Sequence, residues 1–142
     1  MIYSKNGLHL TEQFESCRLV AYQDSKGIWT IGWGHTFGVH EGLTCTRDKA
    51  DAWLLEDIQS AAGTVNRMVT VSLTQDEFDA LTDFVFNAGS GNFSGSTMLR
   101  LLNQGNYAGA SEQFEKWDHS GGVEIAGLLR RRKAEEGEFN GV

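Results

Sequence analysis

Apolar positions near the start of the chain first recur at helical spacing and then alternate. The helical spacing covers residues 4–17 and predicts a short first helix that ends near Glu15. The apolar side chains at this spacing are Leu8, Leu10, Phe14 and Cys17. Over residues 19–36 apolar and polar positions alternate around the turn sequence "DSKG", so this segment predicts a β-hairpin.

From about Thr46 onward the pattern is typical of helices. A long helix is predicted over 47–69, with Thr46 as its N-cap. The clearest helix start is "TQDE", where Thr74 caps and Glu77 lies three residues on, which is the pattern of a capping box. The helix that it opens is expected to end at 87–89, where glycine follows. Shorter helices are predicted at about 97–104, 108–117 and 125–137, with a loop at 120–122.

These elements predict a single α+β domain, mainly helical, over residues 1–142. We expect a small β-containing lobe at about 15–45, a connecting helix at about 47–69 and a helical lobe at about 70–142. The connecting helix would be about 35 Å long, which is enough to run between two lobes. Such a division leaves a groove, and polymers bind in grooves. The hairpin would form one wall of the groove, with Glu15 at its floor.

Composition and charge narrow the possible partners. The chain has 142 residues and a formal net charge of −7, which argues against a general binder of nucleic acid or of membrane surfaces. No apolar stretch approaches the roughly 20 residues that span a bilayer, and the charged N-terminal segment lacks the features of a signal peptide. We therefore expect a protein without a membrane anchor that is made in a cytoplasm and needs help to act elsewhere.

Thiols, imidazoles and the basic run indicate structural roles rather than a metal or phosphate site. Two cysteines do not make a disulfide framework, and Cys17 falls on the predicted helix face, so we expect it to be buried. The four histidines lack metal-ligand spacing, and a zinc site from His35, His40 and Cys45 is disfavoured. The run "RRRK" at 130–133 is better explained as a helix face of solvated or ion-paired arginines than as a phosphate patch.

The helix and hairpin carry three residues that together could cleave a glycosidic bond: Glu15, Asp24 and Thr30. That reaction needs a proton for the leaving oxygen and a group that stabilises or attacks the opposite face of the sugar. A Glu shielded between lobes keeps its proton because burial raises its pKa, whereas a carboxylate on a wetter turn stays ionised. A hydroxyl beside that carboxylate helps to orient a water molecule. Since surface Glu and turn Asp are common, residue type alone leaves this as one hypothesis among others.

The spacing of these residues resembles the signature of the phage-type lysozymes, glycoside hydrolase family twenty-four. The signature is a Glu, eight residues, an Asp, five residues and a Thr, and Glu15, Asp24 and Thr30 match all three positions. The blocks "WTIGWGHT", "LTQDEFDALTDFVFNAG" and "GGVEIAGLLRRRKAE" are also similar to the family, in the same order. The resemblance covers about residues 4–136, which is nearly the whole chain.

The resemblance implies a lysozyme-like fold of two lobes and an enzyme that cuts peptidoglycan between N-acetylmuramic acid and N-acetylglucosamine. It implies that Glu15 is the general acid, Asp24 the base or electrostatic stabiliser, and Thr30 the residue that positions the attacking water. It also implies that no metal or cofactor takes part. Arg131 is expected near Glu15, where it would hold the last helix against the site.

Four residues could in addition line the cleft and contact the substrate: His35, Asn87, Ser96 and Arg131. A structural hydrogen bond or ion pair equally explains His35, and capping or turn roles explain Asn87 and Ser96. From the resemblance we expect a monomeric endolysin that waits in the host bacterial cytoplasm and reaches the cell wall when a holin permeabilises the membrane. Two alternatives stay open: a lytic transglycosylase, which cuts the same bond without water, and a cell-wall-binding domain without turnover.

Overall fold

Helices make up most of the structure, and a small antiparallel hairpin follows the first of them. The computed structural model describes residues 1–120, 123–124 and 126–142. The helices of this part are α1 Lys5–Phe14, α2 Arg47–Met68, α3 Gln75–Ala88, α4 Ser90–Ser94, α5 Thr97–Asn103, α6 Tyr107–Gln113 and α7 Ala126–Phe139, with a 3-10 turn at Phe114–Trp117. The strands are β1 Arg18–Gln23 and β2 Trp29–Gly32, which pair antiparallel, and β3 His119–Ser120 and β4 Val123–Glu124, which do the same. The predicted fold class, α+β and mainly helical, is confirmed. Most of the predicted loop at 120–122 and the predicted start of the last helix at residue 125 lie outside the described residues.

Two helices begin where the sequence predicts, because threonine side chains satisfy their first backbone N–H groups. The Thr46 hydroxyl accepts a hydrogen bond from the Lys49 N–H at 3.2 Å and starts α2. At α3 the Thr74 hydroxyl accepts from the Glu77 N–H at 3.1 Å, while the Glu77 carboxylate accepts from the Thr74 N–H at 2.7 Å. This reciprocal pair is the predicted capping box. Helix α3 ends at Ala88, and Gly89 follows with a φ of +99°, a conformation that favours glycine.

Helix α2 contributes to two separate clusters of buried apolar side chains. Its N-terminal half supplies Ala50, Leu54 and Ile58, which pack with Trp33 from the segment after β2. Its C-terminal half supplies Ala61, Ala62 and Val65 to a larger cluster with α3, α5, α6 and α7. One helix therefore packs against the hairpin at one end and the helical body at the other. The division of the chain into lobes at about 45 and 70 stays a prediction.

The prediction that Cys17 is buried on the face of the first helix is wrong. Helix α1 ends at Phe14, because Glu15 has extended backbone with φ of −104° and ψ of 135°. Cys17 therefore comes three residues after the helix, half-buried at the edge of the cluster around Trp33. Both Cys17 and Cys45 are free thiols.

The C-terminal half differs from the sequence prediction in two places. The single helix predicted at 108–117 is instead α6 followed by the 3-10 turn, and the tighter turn occurs where Phe114 becomes fully buried. The ring of Phe114 packs edge-on to Phe84, with centroids 5.8 Å apart. A short helix that was not predicted, α4, follows Gly89 and carries the buried Phe93 into the same core.

Two acidic side chains meet where α7 packs on the 3-10 turn, and they make stability depend on pH. Burial, and then a hydrogen bond with the Glu115 carboxyl, raise the pKa of Glu136 from 4.5 to about 7; Glu112 adds to the rise, while Lys133 opposes it. The folded state therefore binds more protons than the unfolded state between these two values. This contribution to stability is complete below about pH 4.5 and is lost as the pH rises through 7.

We expect Glu136→Gln to remove part of this pH dependence, because the amide donates a hydrogen bond to Glu115 without needing a proton. Thermal unfolding at about pH 5 and about pH 8 measures the effect. The wild-type Tm should fall more between these pH values than the Tm of the variant, and the two proteins should be similar at the lower pH. Glu56→Gln, a substitution on the exposed side of α2, serves as the control. Equal falls for wild type and Glu136→Gln would contradict the prediction.

Candidate active site

Glu15 follows the last residue of α1, and its side chain is held at the surface of the helical body. Its backbone N–H still donates to the Thr11 carbonyl at 3.1 Å, although its own φ and ψ are extended. The side chain is 22% exposed, so it is largely shielded yet open on one side. Gly34 lies against this side chain: its φ is +97°, and a Cβ there would be 3.4 Å from Glu15 Oε2. Both the backbone conformation and the close approach favour glycine.

Arg131 of α7 binds the Glu15 carboxylate directly. Its Nη1 donates to Glu15 Oε1 at 2.8 Å, which confirms the prediction that this arginine lies near Glu15. The same guanidinium donates to Asp83 of α3 through Nε at 3.0 Å and Nη2 at 2.8 Å. Arg131 is 3% exposed and Asp83 is fully buried. Arg131 thus lies between two carboxylates and fixes α7 to both α1 and α3.

The environment of Glu15 favours its protonated form. Burial is the largest effect and raises the pKa of Glu15, and the negative charge of Asp83 acts in the same direction. Arg131 opposes both through its charge and its hydrogen bond, yet the net shift is upward. Since Arg131 donates to Oε1, a proton on this carboxyl is carried by Oε2, the oxygen beside Gly34.

Asp24 and Thr30 are brought together by the hairpin. Asp24 is in the turn between β1 and β2, and its Oδ1 accepts from the backbone N–H groups of Lys26 at 2.8 Å and Ile28 at 2.9 Å. The Ile28 carbonyl in turn accepts from the Asp24 N–H at 2.9 Å and from the Thr30 hydroxyl at 2.9 Å. Gly27, with φ of +80°, permits this tight turn. The Ile28 carbonyl therefore links the backbone of Asp24 to the side chain of Thr30.

These bonds limit what Asp24 and Thr30 can offer to a ligand. Asp24 Oδ1 is held by its own turn, which leaves Oδ2 for other contacts. The hydroxyl proton of Thr30 is donated to Ile28, so towards a water molecule Thr30 can only accept. Thr30 is 4% exposed, so most of this residue is shielded from solvent.

Two cavities meet at Glu15. The first, of about 300 Å³, is lined by Glu15, Gly34, Thr36, Phe37, Asp57, Phe86 and Asn87. The second, of about 450 Å³, lies on the α7 side and is lined by Gln13, Phe14, Glu15, Asn87, Gly127, Leu128, Arg130 and Arg131. Glu15 and Asn87 belong to both cavities, so they mark the point where the two join. Asp24 and Thr30 are not among the described residues that line these cavities.

The other residues singled out from the sequence have different surroundings. The His35 ring pairs with Asp57, with Nδ1 2.9 Å from Oδ2, and stacks on Trp53 at 4.6 Å between centroids. Asn87 is exposed, and its Oδ1 accepts a hydrogen bond from Arg132 at 2.8 Å. This bond sets the direction of the side-chain amide N–H groups of Asn87. Ser96 is buried and caps α5, since its hydroxyl accepts from the Leu99 N–H at 3.1 Å.

Sequence reasoning missed three residues of the site: Asp83, Asp57 and Phe37. Asp83 is on a stretch of α3 in which every residue from 78 to 85 is buried, so the helix has no solvated face there for an acid. Phe37 is 89% exposed although it is large and apolar, and it lies on the wall of the first cavity. Its position between Thr36 and Gly38 in a loop was the available signal, because exposed aromatic residues on loops often bind ligands.

Side chains that could ligate a metal ion do not cluster in the part of the chain that the structure describes. There, no group of three or more His, Cys, Asp or Glu side chains could hold a metal ion.

Of the arginines in the run at 130–133, Arg130 is exposed, whereas Arg131 and Arg132 are buried and paired with acids. Arg132 Nε lies 2.8 Å from Glu135 Oε1. No helix among the described residues is long and apolar enough to span a membrane.

The known proteins that are similar to this chain in sequence and in fold indicate one family. The family model described as phage lysozyme matches residues 12–135. An endolysin of Acyrthosiphon pisum secondary endosymbiont phage 1 is 41% identical over 143 residues, covering 98% of this chain and 98% of that protein. An endolysin of Bacillus phage B103 is 38% identical over 98% of this chain, and the chain spans only 54% of its length. The solved structure of the muramidase domain of SpmX from Asticaccaulis excentricus superposes with a TM-score of 0.90 at 38% identity, over 96% of each chain.

Proposed function

Because the chain belongs to the phage lysozyme family, we propose that it is an endolysin-type muramidase of glycoside hydrolase family twenty-four. Its substrate is the β-1,4 bond between N-acetylmuramic acid and N-acetylglucosamine in peptidoglycan. The observation that carries this proposal is the state of Glu15: a shielded carboxyl with a raised pKa at the junction of two cavities. Such a group keeps its proton to a higher pH than an ordinary Glu and can give it to a leaving oxygen.

Glu15 acts as the general acid in this proposal. Its Oε1 is occupied by Arg131, so the proton resides on Oε2 and faces the side on which Gly34 leaves room. A glycosidic oxygen placed there would receive the proton as its bond to the muramic acid carbon breaks. Fixing the carboxyl by a hydrogen bond keeps it aligned with the bond to be cut, which lowers the barrier by pre-organisation.

Asp24 and Thr30 act on the other side of the sugar ring. Asp24 stays fixed by its turn and presents Oδ2 as a base or as a negative charge that stabilises the developing oxocarbenium ion. A water molecule that donates one hydrogen bond to Asp24 could donate the second to Thr30, because the Thr30 hydroxyl has already given its proton to Ile28. The hairpin supplies both groups as one rigid unit.

The products of digestion test this function. Purified peptidoglycan treated with the protein in heavy-oxygen water should yield muropeptides whose new reducing ends contain the heavy isotope, as seen by mass spectrometry. Anhydro-muramyl ends without the isotope would show a lytic transglycosylase instead. Binding to the wall without any new ends would show a cell-wall-binding domain. A variant with Glu15→Gln provides the control for wall-bound contaminants.

We further propose how the enzyme reaches its substrate. It is a monomer that needs no metal or cofactor, is made in the host bacterial cytoplasm, and acts in the cell wall after a holin permeabilises the membrane. The acidic composition, with a formal net charge of −7, supports recognition through sugar contacts rather than through attraction to anionic envelopes. Cells that contain the protein should begin to lyse when their membrane is permeabilised, either by a holin or by chloroform.

Phe37 and Asn87 are the residues that we assign to substrate contacts in the first cavity. Phe37 presents an exposed ring and Asn87 an exposed amide beside Glu15. In this proposal His35 and Ser96 support the site without contacting the sugar, since both are buried and hydrogen-bonded within the protein. Arg131 likewise acts on Glu15 rather than on the substrate.

We expect Phe37→Ala to raise KM about fivefold with little change in kcat, because an apolar platform for a sugar ring contributes about 1 kcal/mol. The Tm should stay unchanged, since the ring is 89% exposed. Initial rates of solubilisation of labelled peptidoglycan, measured over a range of substrate concentrations, give both parameters. Leu55→Ala removes another exposed apolar side chain, away from both cavities, and should leave KM unchanged. An unaltered KM in Phe37→Ala would contradict the assignment.

A further inference from the structure

The contact between Arg131 and Glu15 conflicts with the role of a proton donor when it is taken alone. Arg131 Nη1 lies 2.8 Å from Glu15 Oε1. A guanidinium at hydrogen-bond distance favours the ionised carboxylate and by itself lowers the pKa of a carboxyl group. A general acid held in this way would lose its proton before the pH at which it has to work. Burial of Glu15 opposes this effect of Arg131, and a negative charge beside the guanidinium opposes it further.

Asp83 is placed to offset the charge of Arg131. Its two oxygens accept hydrogen bonds from Nε and Nη2 of Arg131 at 3.0 and 2.8 Å, so Asp83 binds one edge of the guanidinium in a bidentate manner. Glu15 receives a single bond from the remaining nitrogen, Nη1. Asp83 is also fixed from α1, because the Thr11 hydroxyl donates to its Oδ1 at 2.7 Å. Asp83 is fully buried, so water does not screen its charge.

We propose that Asp83 is a positioning residue that acts through Arg131: it neutralises the guanidinium, so that Arg131 orients Glu15 without removing its proton. The inference rests on the proposed role of Glu15 as general acid. It assigns separate tasks to the two edges of one guanidinium. One edge is neutralised by Asp83, and the other fixes the direction of the acid.

The charges around these groups are consistent with this division of tasks. Glu15 faces Arg131 and Arg130 of α7, Asp83 of α3 and, across the first cavity, Asp57 of α2. Burial raises the pKa of Glu15 most, Arg131 lowers it through its charge and its hydrogen bond, and Asp83 raises it by a smaller amount. Groups around Asp83 itself are Arg131 and Glu135 of α7, and Tyr3 and Thr11 on the α1 side.

Asp83 stays ionised in this setting. Burial alone would raise its pKa, but a hydrogen bond from Glu135 and the contacts with Arg131 hold the pKa at about 2. Burial and the nearby Asp83 raise the pKa of Glu135 well above the usual range. The charge that compensates Arg131 is therefore present at every pH at which Glu15 titrates.

Asp83→Asn tests the proposal because it keeps the shape of the side chain and removes its charge. We expect kcat/KM on labelled peptidoglycan to fall about tenfold at pH 7 and less than about twofold at pH 5, because Glu15 then loses its proton at lower pH. The basic limb of the pH–activity profile should move to lower pH. Asp83→Glu, which restores the charge, should return the limb towards its wild-type position.

The matched control is Asp79→Asn, one turn earlier on α3. Asp79 is also fully buried, but it accepts from Ser4 and Gln75 and makes no contact with Arg131. This variant should lose stability without a shift of the basic limb. If Asp83→Asn scales the whole profile down by one factor, as a purely structural residue would, the proposal is overturned.

Carbon NMR of the carboxyl groups tests the same point on the wild-type protein, in case Asp83→Asn does not fold. Asp83 is expected to stay ionised down to about pH 3, given its pKa of about 2, while Glu15 takes up its proton at higher pH. Uptake of a proton by Asp83 before Glu15 would overturn the inference. These titrations need no substrate. If the wild type proved inactive on peptidoglycan, the proposed function would fail, whereas the NMR result would still decide the electrostatic coupling.

Discussion

Glu15→Gln is expected to lower the kcat for peptidoglycan hydrolysis by about 10²–10⁴-fold while the protein stays folded. The substitution removes the only proton that the site is proposed to give to the leaving oxygen. The fold should survive, because the amide oxygen of glutamine can still accept the hydrogen bond from Arg131. We expect the Tm to change by less than about 4 °C, which corresponds to about 1 kcal/mol. Turbidity loss of cell-wall suspensions measures activity, and circular dichroism measures unfolding.

The matched control for this variant is Glu12→Gln, on α1 one turn before Glu15. Glu12 lines neither of the two cavities at the site among the described residues, so the loss of its charge should leave kcat within about twofold. Full activity in Glu15→Gln would remove Glu15 from the mechanism. Equal losses in both variants would indicate that the charge of α1, rather than a particular proton, determines the rate.

Arg131→Met is expected to lower the free energy of unfolding by about 3–5 kcal/mol, because it leaves the buried Asp83 carboxylate without its cation. Arg131 is 3% exposed and bonded to both Asp83 and Glu15, and Glu135 lies 3.8 Å from its Nε. For a domain of this size the loss corresponds to a fall in Tm of about 10–20 °C. Methionine has a similar volume, so the effect reports the lost charge and hydrogen bonds rather than a cavity. Urea unfolding at low temperature gives the free energy.

Arg130→Met, on the adjacent exposed position of α7, controls for the loss of a positive charge and should change the free energy of unfolding by no more than about 0.5 kcal/mol. Activity should also fall in Arg131→Met, because Glu15 loses the bond that orients it. A Tm within about 2 °C of wild type would show that the arginine is not needed to balance the buried acids.

The parts of the fold that depend on neighbouring residues could be predicted from the sequence. Thr46 and Thr74 cap their helices through bonds to residues three positions away, and such local chemistry can be identified from spacing alone. The hairpin follows from alternation and a turn that contains Gly27. By contrast, Cys17 was wrongly placed on the face of α1, because apolar spacing continues to Cys17 although the backbone becomes extended at Glu15.

The electrostatic part of the site could not be predicted from local patterns. Asp83 looks like a solvated helix residue in the sequence, and its burial depends on contacts with Thr11 and Arg131, which are 72 and 48 positions away. Arg131 was expected near Glu15 only through the family resemblance, since nothing in the run "RRRK" distinguishes one arginine from another. Long-range pairing of buried charges requires the fold to be known first.

The 116 positions between Glu15 and Arg131 have a consequence for synthesis. A ribosome makes Glu15 long before Arg131, so the nascent chain carries Glu15 without its arginine partner while the residues that separate them are synthesised. Domains of this kind fold as units once their last packed element is available. On the roles proposed above, a chain that is released or cut before α7 would be inactive, and activity would begin only after α7 has been synthesised and has packed against α1 and α3.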